Sequence, residues 1–389
     1  MIDEPSHSVR KVDPADSDPA DSNDSDVSRS WGAREATASP VCSYNEWDPL
    51  EEVIVGVADG ACVPPWHPAV EATLDPCKQT WFRTRAGQPF PEEVVSAARH
   101  ELDGFIVLLE DLGITVRRPR AQDQLRPYAT PSWRSTGLYD AMPRDVLLVV
   151  GEEIIECPLA WRSRHYGTSG FRPLLREYFR GGARWSSAPK PELCDELYDR
   201  EAIGDDVEAS DRYVTTELEP TFDAADFIRC GRDIFTQRSH VTNRFGIEWL
   251  RCHLGPDYRI HILEFDDEHP MHIDATFMPI APGKLIINPE RVVEVPSMFR
   301  DWEVAPAPDP VIPLSHPLYM TSRWVNMNIF MLGPQLAVVE AEEHPMADLL
   351  TSWGIEVIRC PFRHFNSIGG SFHCATLDVR RRGELLSYF

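Results

Sequence analysis

Basic charge is scarce in this chain: 38 Lys and Arg stand against 62 Asp and Glu in 389 residues, a formal charge of −24. Nucleic acid and anionic membrane surfaces need a basic footprint, so neither is expected as a partner. Apolar runs of membrane-spanning length are missing, as is a basic-then-apolar leader, and the expected compartment is therefore the cytoplasm. The nine cysteines include no Cys-x-x-Cys pair, which excludes a disulfide framework and a cysteine-rich zinc site. No His-x-x-x-His pair or third ligand at a telling spacing points to a metal.

What is present is enough apolar material, 42% of residues, for a sizeable core. Residues 1–40 are the exception, being rich in Asp, Ser and Pro, and a disordered acidic tail is expected there. From residue 41 to 389 no linker interrupts the chain, so one domain is expected. Within it a helix, a Gly or bulky stop, a short strand and a proline follow one another five times. The units run from Pro91 to Pro119, Leu174 to Pro189, Ile247 to Leu263, Met298 to Pro306 and Met346 to Pro361. Continuous apolar stretches such as Val146–Val150 and Lys284–Ile287 read as strands covered on both faces. The class is α/β.

Chemistry gathers at a few places. Cys374 follows Asn366-Ser367-Ile368-Gly369-Gly370-Ser371-Phe372-His373 and precedes an alternating run, which predicts a thiol on an exposed turn entering a strand. An inert buried cysteine is the bland alternative. Asp145 stands before a buried strand, as a turn cap or as a charge aimed into a pocket. Asp223 and Asp226 flank two alanines, where small neighbours let a cation such as a guanidinium approach; an N-cap role suits Asp226 better than Asp223. Pro270 to Phe277 alternates like a strand, which predicts that His272, a proton carrier, and Asp274, a cation-binding group, share a face. Arg291 and the run Met320-Thr321-Ser322-Arg323-Trp324 are candidates for holding a carboxylate, against the bland reading of solvated arginines.

These segments resemble the amidinotransferase family, whose members pass the amidino group of arginine to glycine or to an inosamine phosphate. The likeness spans 41–389. It is carried by Ser43-Tyr44-Asn45-Glu46-Trp47-Asp48-Pro49-Leu50, Met142-Pro143-Arg144-Asp145, Phe222-Asp223-Ala224-Ala225-Asp226, Met271-His272-Ile273-Asp274 and Phe372-His373-Cys374. The resemblance implies a single-domain, five-fold pseudosymmetric α/β propeller and a homodimer. It implies Cys374 as nucleophile, His272 as general acid and base, and Asp223 as the carboxylate partner of His272. Asp145 and Asp274 would grip the guanidinium, Arg291 and Ser322 the amino-acid end, and Met271 matches the glycine-using type.

The implied reaction is ping-pong through an amidino-cysteine, with arginine as donor, a primary amine as acceptor and no cofactor or metal. Glycine or a similar small amine is the expected acceptor, with an aminocyclitol or another secondary-metabolite amine as the alternative. His269 and Ser371 depart from the family pattern beside the acceptor's expected place. Two other classes use the same residues: an arginine deiminase, in which water takes the amidino group, and a non-catalytic arginine-binding protein.

Overall fold

Fifteen of the seventeen strands among the described residues fall into sets of three, and each set is built the same way. This computed structural model describes residues 38–203 and 213–389, so residues 1–37 of the expected tail lie outside the described residues. The chain starts with β1 (Leu50–Val55), α1 (Pro68–Ala72), α2 (Pro76–Arg85), α3 (Glu92–Asp111) and β2 (Thr115–Arg117). A small hairpin, β3 (Tyr128–Ala129) and β4 (Arg134–Ser135), comes before the one-turn helix α4 (Pro143–Val146).

Next come β5 (Leu147–Val150), β6 (Glu153–Glu156), α5 (Arg172–Arg180) and β7 (Arg184–Ser187), then β8 (Phe227–Cys230), β9 (Asp233–Gln237), α6 (Arg244–Leu254) and β10 (Arg259–Leu263). They are followed by β11 (Phe277–Ala281), β12 (Lys284–Ile287) and β13 (Glu303–Pro306). The last elements are β14 (Phe330–Gly333), β15 (Leu336–Glu340), α7 (His344–Ser352), β16 (Glu356–Cys360), α8 (Arg363–Asn366) and β17 (Thr376–Arg381).

In four sheets an antiparallel hairpin is joined by a third strand parallel to its second: β5-β6-β7, β8-β9-β10, β11-β12-β13 and β14-β15-β16. The fifth sheet, β17-β1-β2, has the same pattern but takes its antiparallel pair from distant parts of the sequence. A parallel partner needs a crossover, which is the work of the helix-to-strand units. α3 buries Val95, Ala98, Leu102, Phe105 and Leu109 along one stripe, and Gly113 at φ +78° ends it with a conformation that a side chain would resist. The fourth unit differs from expectation. Between Pro296 and Glu303 there is room only for a single 3-10 turn, Ser297–Phe299, in place of a helix.

The centre of the molecule is ionic. Arg229, fully buried, donates to Glu46 Oε2 at 2.7 Å and Asp378 Oδ2 at 2.6 Å; Arg144 bridges the same two carboxylates, and Arg381 reaches Asp378 Oδ2 at 2.7 Å. These side chains come from the segment before β1, from α4, from β8 and from β17. Charges this deep survive because each is paired and hydrogen-bonded.

Candidate active site

A cavity of about 1070 Å³ opens against the segments that the sequence singled out. Asp145, His272, Asp274 and Cys374 line it together with Arg291 and Ser322, and Met271 lies in the same wall. Asp223 does not reach the cavity and stands behind His272. His269 is in the wall, with Nδ1 3.0 Å from the Ala72 carbonyl, whereas Ser371 is buried behind it.

Cys374 departs from its expected exposure: it is buried, 4% accessible, within a turn that hands over to β17 at Thr376. The turn is pinned from behind by Phe372, whose ring stacks on Phe362 at 4.1 Å and meets Phe105 edge-on at 4.9 Å. In front, Gly370 leaves the sulfur its space, because a Cβ there would lie 2.6 Å from Cys374 Cβ and 2.8 Å from Sγ.

The strand expected over Pro270–Phe277 is also corrected. β11 begins only at Phe277; His272 adopts φ +61° and Ile273–Ala275 forms a 3-10 turn. Left-handed backbone at a non-glycine residue costs of order 1–3 kcal/mol and persists where its surroundings over-determine it. Local alternation therefore mimicked a strand, while tertiary contacts hold a strained turn that still brings His272 and Asp274 to one cavity.

Around His272, Nε2 lies 3.1 Å from Asp223 Oδ2 and Nδ1 lies 3.7 Å from Asp145 Oδ1. Burial works against the imidazolium, but Asp145 and the hydrogen bond to Asp223 outweigh it and raise the pKa to about 9. Arg164 ties the two carboxylates together, with Nη2 2.7 Å from Asp145 Oδ2 and Nη1 3.3 Å from Asp223 Oδ2. Burial raises the Asp145 pKa above the usual carboxylate range against the pull of His272 and Arg164, and its Oδ1 is buried without a hydrogen-bond partner.

Asp274 sits on the sulfur's other side. Its Oδ2 is 2.7 Å from His373 Nδ1, 2.6 Å from Asn328 Nδ2 and 3.4 Å from Cys374 Sγ. Burial is opposed by the hydrogen bond and charge of His373, and the net effect lowers the Asp274 pKa. The Cys374 thiol is driven well up by burial, then by Asp274 and Asp145. With no substrate bound, the arrangement is thus a neutral thiol between carboxylates, beside a protonated imidazole.

Ligand atoms of Asp145, His272 and Cys374 lie within 4.8 Å of one another and are of types that a divalent metal accepts. They also suit a planar cation, since two carboxylates flank the place where its carbon would meet the sulfur.

Arg291 is held by Asp267 Oδ2 at 3.1 Å, Thr276 Oγ1 at 3.2 Å and Ser322 Oγ at 3.3 Å, which joins the two predicted carboxylate-holding positions. Asp226 caps no helix; it accepts from Ser239 and Thr242 hydroxyls at 2.6 Å each and from Gln237 at 2.9 Å. Sequence reasoning passed over Arg164, hidden among many arginines. It also passed over Asn328, although two asparagines in the apolar stretch Trp324–Met331 are a signal of buried polar work.

No protein-family model matches the chain. It is 60% identical over 350 residues, 90% of this chain and 97% of the relative, to the L-arginine:L-lysine amidinotransferase of Pseudomonas savastanoi pv. phaseolicola. The chain belongs to the amidinotransferase family. The mitochondrial glycine amidinotransferase of Danio rerio is 51% identical to this amidinotransferase over 362 residues, 91% of this chain and 86% of that one. Among solved structures, an amidinotransferase of the saxitoxin biosynthetic pathway from Microseira wollei superposes with a TM-score of 0.86 at 47% identity, covering 90% of this chain and 100% of that one. Dimethylarginine dimethylaminohydrolase, at 11% identity and a TM-score of 0.54 over 84% of this chain and 99% of that one, shares the α/β fold.

Proposed function

We propose that this enzyme takes the amidino group from L-arginine onto Cys374 and passes it to the primary amine of a second amino acid. The observation that carries the reading is the convergence of Cys374, His272, Asp274 and Asp145 on one cavity. Asp145 and Asp274 orient the guanidinium while Arg291 and Ser322 take the carboxylate end. A guanidinium carbon is a poor electrophile, so a soft nucleophile held in line is what the chemistry requires.

As the cation seats between the carboxylates, the thiol releases its proton to water. The thiolate forms the S–C bond, the bond from carbon to the chain nitrogen breaks, and the His272 imidazolium protonates that nitrogen, which leaves as ornithine. Asp223 holds the imidazole throughout. In the second half-reaction the acceptor amine attacks the same carbon and gives its proton to His272, and the C–S bond breaks to return the thiolate.

The acceptor amine must stand where ornithine's terminal amine left. Lysine is ornithine lengthened by one methylene and uses the same carboxylate contacts, and the 60%-identical relative is named for lysine. We therefore place lysine ahead of glycine, the acceptor expected from the sequence. Residues 41–389 are read as a single catalytic domain. The repeated strand pattern of the five sheets supports an arrangement as blades of a five-fold pseudosymmetric propeller.

Purified protein is incubated with arginine labelled in the guanidino carbon plus lysine, glycine or a panel of amines, and products are followed by mass spectrometry. Ornithine and labelled homoarginine are expected. Ornithine with labelled guanidinoacetate in place of homoarginine would make glycine the acceptor, and citrulline with ammonia would make the enzyme a deiminase.

A further inference from the structure

Asn328 lies just ahead of β14, 3% accessible and surrounded by apolar neighbours in the sequence. A buried side-chain amide is tolerated where its polar atoms are satisfied, and this one is satisfied entirely by the nucleophile's surroundings. Oδ1 accepts the backbone N–H groups of Ser371 and Cys374, both at 3.0 Å. Nδ2 donates to Asp274 Oδ2 at 2.6 Å and to Cys374 Sγ at 3.2 Å. The orientation of the amide is fixed by its partners: the two backbone groups only donate, so the oxygen must face them and the nitrogen must face carboxylate and sulfur.

Resting on the reading of Cys374 as nucleophile, we propose that Asn328 is a further catalytic residue: its Nδ2–H group receives the charge of the Cys374 thiolate while its Oδ1 holds the turn that aims the sulfur. The need for such a donor follows from the neighbours. Asp274 lies 3.4 Å from the sulfur, and together with Asp145 and burial it opposes a negative sulfur, whereas Asn328 acts in the other direction. One amide thus links the two things the attack requires, since the Asp274 oxygen that it touches belongs to the carboxylate assigned to the guanidinium.

Asn328→Asp removes the N–H donor and sets a carboxylate beside Asp274 and the sulfur, while its other oxygen still accepts from Ser371 and Cys374. The expected result is a fall in kcat of about 10²-fold with little change in KM for arginine, as when one donor to a developing charge is removed. Alkylation of Cys374 by iodoacetamide should titrate at higher pH than in the unaltered enzyme. The ratio of variant to unaltered kcat should increase as pH falls, because protonating the introduced carboxyl restores a donor.

Asn328→Ser, uncharged and still able to donate weakly, should show a smaller loss in the same direction, and it carries the test if the added carboxylate prevents folding. A kcat within threefold of the unaltered enzyme and an unmoved alkylation profile in a folded variant would overturn the proposal. So would a rise in KM alone, which would confine Asn328 to orienting Asp274. Mass spectrometry of the unaltered enzyme with labelled arginine separates the two layers: no adduct on Cys374 defeats the nucleophile reading as well, whereas an adduct with silent Asn328 variants defeats this inference alone.

Discussion

At Cys374 two demands conflict. On the proposed mechanism the sulfur must be an anion to attack, yet burial and two carboxylates favour the neutral thiol. Binding of a cation resolves the conflict, so ionisation and substrate arrival are coupled. In the free enzyme, iodoacetamide should modify Cys374 slowly at neutral pH and readily only at a pH well above the ordinary thiol range. A non-reacting guanidino ligand should move the ionisation to lower pH, followed as thiolate absorbance that is absent from a Cys374→Ser variant. An unchanged profile would contradict the coupling.

His272 supplies a second pH signature. Its folded pKa, near 9, lies above the ordinary 6.5, so the imidazolium persists through neutrality and is lost as pH rises through 9. Single-turnover release of ornithine should therefore decline above that pH, and His272→Asn should slow it by roughly 10²-fold or more. The stabilising contribution of the His272 pair has the same sign: it is complete below about pH 6.5 and fades as pH approaches and passes 9. Cys374, His272 and the carboxylates were legible in the sequence as candidates in short motifs. Arg164 and Asn328 were not, because their importance lies in what they touch across 59 residues to Asp223 and 46 residues to Cys374.

Among the elements, the helix-to-strand units were readable because each is local, a buried stripe followed by a stop. The segment before β11 was misread for the opposite reason. Its alternation is local, but His272 is turned by contacts that no short window contains. The turn carrying Cys374 gives a sharper test. Gly370→Ala puts a methyl group in van der Waals conflict with Cys374 Cβ and Sγ, so turnover should fall by about 10²-fold, with some loss of melting temperature as the buried turn shifts. Gly56→Ala should show mainly in stability. Its Cβ would lie 2.0 Å from the Ala141 carbonyl oxygen, and its N–H already bonds the Ala375 carbonyl at 2.9 Å, so calorimetry should record a loss of at least about 1–3 kcal/mol.

For the molecule as a whole, stability is tied to the buried ionic centre. Glu46 is opposed by burial, but Arg229 and Arg144 hold its pKa well below the ordinary value; Asp378 is likewise lowered against burial by Arg144, Arg381 and Arg229. Depressed carboxylates stabilise the fold above their unfolded pKa values, near 4, and that contribution is lost as pH falls through the folded ones. Arg229→Met leaves two carboxylates short of a partner and should cost about 3–5 kcal/mol in urea unfolding, with the acid unfolding midpoint shifted to higher pH. A variant as stable as the unaltered protein would mean that the remaining arginines suffice. This centre was invisible in the sequence, where its members are scattered single letters.

β1 and β17 meet across the length of the chain, with Glu51 and Arg380 bonded over 329 residues. During synthesis β1 emerges early and its antiparallel partner comes after every other described strand. The sulfur lies two residues ahead of that partner, so its seat is assembled only when the sheet closes. On the proposed roles, a chain whose β17 has not yet paired with β1 carries Asp145 and Asp274 but no seated thiol beside them, so its chemistry waits on the closing of this one sheet.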